Sequence, residues 1–202
     1  MQIEERPRLS LATLLDLRPD VTLGGSVRSP GVHVTDLIGV HMARLYPDLY
    51  TRSAPLPEEA KDNWMRMGFL WEDVLTQFFA AKIRDAGNVV RATELTLDGV
   101  IGTPDWLELD DAGLILGESK LTWKSARSFD LYAPKFLAWL YQIRAYCRML
   151  ETTRARLTVI WINGEYTMFV PEVRQYDLTF TVQELGDNWT MLINAGKHAG
   201  LL

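Results

Sequence analysis

The chain has 202 residues, 48% of them hydrophobic, and a net charge of −5. That length suits one domain, and the apolar share is ample for a core and too high for a disordered chain. One cysteine, Cys147, excludes an intrachain disulfide framework, a cysteine-based zinc site or an iron–sulfur cluster.

No apolar run is long enough to cross a bilayer, and the charged stretch Met1–Arg8 lacks the apolar segment of a signal peptide. The expected setting is therefore reducing and cytoplasmic, with no membrane partner. The charge is unevenly placed. Between Lys120 and Arg156, eight basic residues stand against two acids, Asp130 and Glu151. A basic stretch inside an acidic chain is what a local phosphate-binding face would look like, although the same charges could line a solvated helix.

Residues 1–33 read as irregular, broken by Pro7, Pro19, Gly24, Gly25, Pro30 and Gly31. Thr35 is placed to cap a helix running to about Leu45, and Pro47 and Pro55 mark a loop. Pro57 opens a long helix ending near Gly87, with Glu58 and Glu59 in the first turn, where acids suit the dipole. Strand-like runs follow at about 89–97, 99–109 and 114–123, with Asp110–Gly113 as the turn between the last two. A helix spans about Pro134–Glu151, with Phe136, Leu140, Ile143, Cys147 and Leu150 as its core stripe and Trp139, Gln142 and Tyr146 beside it. Asn163-Gly164 joins strands at 155–162 and 165–171. A strand near 175–181 and a helix near 183–197 complete the order. The predicted fold is α/β, a central mixed sheet flanked by helices. In it, 1–56 form an extension, 57–182 the core and 183–202 a terminal helix.

The turn fixes a register. If Leu109 faces Leu114, then Asp105 faces Glu118, and Lys120, facing Thr103, shares their side. Leu107, Leu109, Leu114 and Leu116 would lay an apolar floor on that face. Two carboxylates about 5 Å apart destabilise a sheet unless they share a proton or a cation. Mg²⁺ and Mn²⁺ take such oxygens, and a lysine beside them can position water or stabilise developing charge. The structural alternative is a surface salt bridge between Glu118 and Lys120.

Gly102-Thr103-Pro104-Asp105 followed by Glu118-Ser119-Lys120 resembles the signature of the PD-(D/E)XK nuclease superfamily. Gly68-x-x-x-Glu72 before the sheet and Gln142-x-x-x-Tyr146 after it extend the resemblance to the RecB-type exonuclease branch, related to the lambda exonuclease and YqaJ group. The four elements span residues 68–146 in the family's order. The resemblance implies a restriction-endonuclease-like core and one or two Mg²⁺ or Mn²⁺ ions held by Glu72, Asp105, Glu118 and the Ser119 carbonyl. It implies that Lys120 orients or activates the attacking water, and that Gln142 and Tyr146 contact substrate or brace the site. Many members of this branch have histidine where Glu72 stands, and the cysteine cluster of the CRISPR-associated members is absent.

Lys124, Arg127 and Lys135 are expected phosphate contacts, and Trp123 and Tyr132 are placed either to stack on bases or to join the core. His33, His41 and His198 lack metal-ligand spacing. The function expected from the resemblance is a metal-dependent deoxyribonuclease, an exonuclease in phage or mobile-element recombination or repair. DNA would be its partner, with room for a recombination partner protein and a homo-oligomer. The alternatives are a non-catalytic DNA-binding or assembly protein with the same fold, and a structure- or sequence-specific endonuclease.

Overall fold

The computed structural model describes residues 1–6, 29–50, 89–162 and 172–202. The expected helix 57–87, with Gly68 and Glu72, and the hairpin at Asn163-Gly164 lie outside them. The described elements are β1 (Gln2–Glu5), β2 (Val32–His33), α1 (Val34–Leu45), a one-turn α2 (Pro47–Tyr50), β3 (Val89–Arg91), β4 (Leu95–Leu97) and β5 (Val100–Gly102). There follow β6 (Trp106–Asp110), β7 (Gly113–Thr122), a 3₁₀ turn (Ala126–Ser128), α3 (Pro134–Met149), β8 (Arg154–Trp161), β9 (Glu172–Thr179) and α4 (Val182–His198).

A six-stranded mixed sheet runs in the order β1-β9-β8-β7-β6-β3, and a three-stranded one in the order β2-β5-β4. The fold is mixed α/β, as expected, with β7 and β8 parallel at the centre of the larger sheet. One face of that sheet supplies Leu116, Leu157, Val159 and Trp161 to a core shared with Leu37 of α1, Phe136, Leu140 and Ile143 of α3 and Leu192 of α4. Trp106, Ile115, Ile160 and Val173 are also buried but stand outside that cluster, on the other face. Among the described residues no helix is long and apolar enough to cross a membrane.

The predicted 110–113 turn is in place, and its register holds. Leu109 pairs with Leu114 and Trp106 with Gly117. A side chain on Gly117 would collide with the Trp106 indole. Glycine there lets the ring lie flat on β7.

Several expectations need correction. The first segment is not irregular throughout: β1 pairs with β9 at the sheet edge, and β2 pairs with β5. Helix α1 is capped two residues earlier than Thr35, at His33, whose N–H donates to Asp36 at 2.9 Å. The segments 89–97 and 99–109 each split in two, and the halves join different sheets. For the second, the cause is Pro104, which has no N–H to give a ladder and stiffens the residue before it. The apolar floor is also smaller than expected. Leu116 is fully buried, whereas Leu109, near the hairpin tip, is 57% exposed.

Candidate metal-dependent active site

The strand break at Thr103–Asp105 shapes the site. β6 pairs with β7 only as far as Gly117, so Asp105 is not a ladder partner of Glu118, nor Thr103 of Lys120. Lys120 instead pairs in parallel with Val159 of β8. Asp105 nevertheless reaches the expected place. Its Oδ2 accepts the Ser119 backbone N–H at 2.6 Å, on the side of β7 that β6 has vacated. An orphan strand donor is thereby satisfied, and the carboxylate is fixed one residue from Glu118.

Glu118 is 1% exposed. Its Oε1 accepts from the Lys120 ammonium at 2.6 Å, and that ammonium also donates to Gln142 Oε1 at 2.8 Å. Gln142 then donates through Nε2 to the Tyr146 hydroxyl at 3.1 Å. These bonds orient the carboxamide, oxygen toward lysine and nitrogen toward phenol. Gln142 and Tyr146, one turn apart on α3, tie it to β7. The surface salt bridge considered from sequence is thus a buried pair within a network.

Tyr146 is not beside the core stripe, as expected, but in the core. Its hydroxyl accepts from Gln142 while its ring is buried. Burial first, and then the Glu118 charge, push its phenol well above the usual range, with Asp105 adding to the effect. Cys147 is buried as expected, and burial and Glu118 likewise push its thiol up. Gly102 packs closely as well: a Cβ there would lie 2.7 Å from Met149 Sδ and 2.8 Å from Tyr146 Cε1. The signal was its place beside Thr103-Pro104-Asp105. A bare backbone there lets Tyr146 close against the break.

The donor set fits a hard divalent ion. The Asp105 carboxylate is held at the residue next to buried Glu118, Tyr146 feels both charges, and Cys147 feels that of Glu118. All-oxygen ligands of this kind suit Mg²⁺ or Mn²⁺. Among the described residues no three His, Cys, Asp or Glu side chains form a metal-binding group. Asp105 and Glu118 make two, and Glu72 lies outside the described residues.

The basic stretch is not one patch. Lys120 pairs with Glu118, Arg144 with Glu184, Arg154 with Asp110, and Arg156 with Glu108 and Asp177. These charges are spent on cross-links within the fold. Lys124, Arg127, Lys135 and Arg148 are exposed. Lys124 follows β7, Arg127 lies on the 3₁₀ turn with its N–H on Ser125 Oγ, and Lys135 is in the first turn of α3.

No family model and no curated protein matches the chain. Among solved structures it is similar to the crystal structure of SSO0001, with a TM-score of 0.52 and 16% identity, over 95% of this chain and 84% of that one. At that identity the likeness is one of fold.

Proposed function

We propose that this chain is a divalent-metal-dependent deoxyribonuclease of the PD-(D/E)XK type, acting from DNA ends. The observation that carries the reading is the Lys120 ammonium, shared between Glu118 at 2.6 Å and Gln142 at 2.8 Å beside the Asp105–Ser119 bond. Asp105, Glu118 and the Ser119 carbonyl would hold the ion, with Glu72 the further ligand that the resemblance implies. A bound ion would polarise the phosphate and lower the pKa of its water. Lys120, held at the edge of the carboxylate pair, would orient that water and stabilise charge developing on the phosphate. Gln142 keeps the ammonium in place, and Tyr146 anchors Gln142. Exposed Lys124, Arg127 and Lys135 would hold the DNA backbone.

The test is digestion of end-labelled linear, circular and single-stranded DNA with Mg²⁺ or Mn²⁺. Linear DNA should be degraded and covalently closed circles left intact, with activity lost in chelator and in a folded Lys120→Ala protein. Robust cleavage in excess chelator would overturn the metal-dependent reading. Cutting of circles would make the enzyme an endonuclease.

A further inference from the structure

Beyond Lys120 the seam between β7 and α3 continues to a second cluster. Two contacts align strand and helix antiparallel. Lys120 meets Gln142, and four residues on, Lys124 Nζ donates to the Lys135 carbonyl at 2.9 Å. Both lysine ammoniums lie 5.0 Å from the Phe136 ring centroid. Two like charges are therefore gathered over one ring at the positive end of a 16-residue helix. Burial, and then the Lys135 charge, lower the pKa of Lys124, so the pair repels itself and an anion between them would relieve it.

Exposed aromatics adjoin both lysines in sequence. Trp123 precedes Lys124 and is 45% exposed, while Tyr132 lies just before α3 and is 52% exposed. The neighbouring Phe129, Phe136, Trp139 and Trp161 pack on one another at centroid distances of 4.9–6.5 Å. Trp123 and Tyr132 keep much of their surface in water.

We propose that Trp123, Lys124, Tyr132 and Lys135 form a single-strand subsite, taking a phosphate between the two lysines and a base on an aromatic face. This rests on the nuclease reading for its ligand class, but makes a separate claim about binding. Base stacking requires an unpaired strand, because a duplex hides the faces that an aromatic ring would cover. Gln142 and Lys135, the helix partners of Lys120 and Lys124, are seven residues apart on α3, about 10 Å along its axis. That spans about three nucleotides of a stacked strand. The subsite therefore grips the strand about three nucleotides from the reacting phosphate.

The experiment is fluorescence anisotropy of the full chain with fluorescein-labelled oligothymidylates of two to twelve nucleotides, in chelator so that nothing is cleaved. A blunt duplex serves as the comparison. Affinity should rise steeply up to about four to six nucleotides and level off. Trp123→Ala and Tyr132→Ala should each weaken single-strand binding by about 5-fold to 150-fold, the range of one lost stack. Trp123→Phe and Tyr132→Phe should retain most of it. Replacing Lys124 and Lys135 together by glutamine should reduce the salt slope by about 0.7, the share of the one phosphate they hold. Unchanged single-strand affinity in both alanine variants would overturn the subsite, as would equal losses on blunt duplex. Metal-dependent cleavage with no effect of these variants sinks the subsite alone. Aromatic-dependent binding without cleavage under any metal sinks the nuclease reading and leaves the subsite standing.

Discussion

Lys120→Met tests the site through stability, before any activity is measured. The substitution keeps most of the side chain's length and removes its charge. Glu118 would then hold its charge with a side chain only 2% exposed, and without the ammonium now 2.6 Å away. Removing one partner of a buried pair costs about 3–5 kcal/mol, because the survivor stays desolvated. The Lys120 side chain is 18% exposed, so some water can enter, and the lower end, about 3 kcal/mol, applies. For a chain of this size that lowers Tm by about 6–12 °C. Adding Glu118→Gln removes the stranded charge and should recover more than half of the loss. Thermal unfolding at pH 7 in chelator reads both variants. A Lys120→Met protein that melts with the parent would refute the buried-pair reasoning. Added Mn²⁺ should then stabilise Lys120→Met more than the double variant, since the ion supplies the charge that Glu118 lost.

Three further outcomes follow from the same contacts. Gln142→Leu removes the second acceptor of Lys120 and the donor to Tyr146; single-turnover cleavage should slow by about 10-fold to 100-fold, the worth of one bond to a charged group, with substrate affinity little changed. Gly102→Ala would press on Tyr146 and Met149, and Gly117→Ala on the Trp106 ring; chemical unfolding should show losses of about 1–3 kcal/mol for the first and more for the second. Arg154 holds the Asp110 carboxyl down at about 2, and the Thr181 N–H, with the N-terminal ammonium, holds Glu184 there too. Carboxyls lowered in the fold stabilise it above their ordinary pKa and lose that effect as pH falls, so unfolding followed from pH 5 to pH 2 should show stability dropping, less steeply in Asp110→Asn.

The hairpin register was legible because Asp110–Gly113 is a strong local turn and the side-chain period of a strand propagates from it without ambiguity. Helices α3 and α4 were legible for a similar reason. Their apolar periodicity is long, and their ends carry Pro134 and the Thr181–Glu184 cap. Three features were not. The edge strand β1 is only four residues long and exposed, and its partner β9 lies more than 160 residues away, so no local pattern marks it. Tyr146 reads as a flank residue from its position on the helix, whereas its burial involves close packing against bare Gly102, which belongs to a distant strand and leaves no local signal. The basic stretch looked like a surface because its acidic partners Glu108, Asp110, Asp177 and Glu184 come from other strands and helices.

The strand break matters more to the site than the register that led to it. Had β5 run unbroken into β6, Asp105 and Glu118 would face each other as ladder partners, and the sheet would bear their repulsion at every moment without a cation. Pro104 ends that ladder. Asp105 is then free to turn onto the Ser119 N–H, which offsets its charge with a backbone dipole, while Glu118 is offset by Lys120. Each carboxylate has a donor of its own, and the Asp105 carboxylate is held at the residue of β7 next to Glu118. A continuous hairpin with the same residues would spend the Ser119 N–H on the ladder and leave the two charges opposed. The short Thr103-Pro104-Asp105 sequence thus lets two negative charges stand close together, each offset by a donor of the chain itself, and under the proposed function these are the oxygens that would meet the ion.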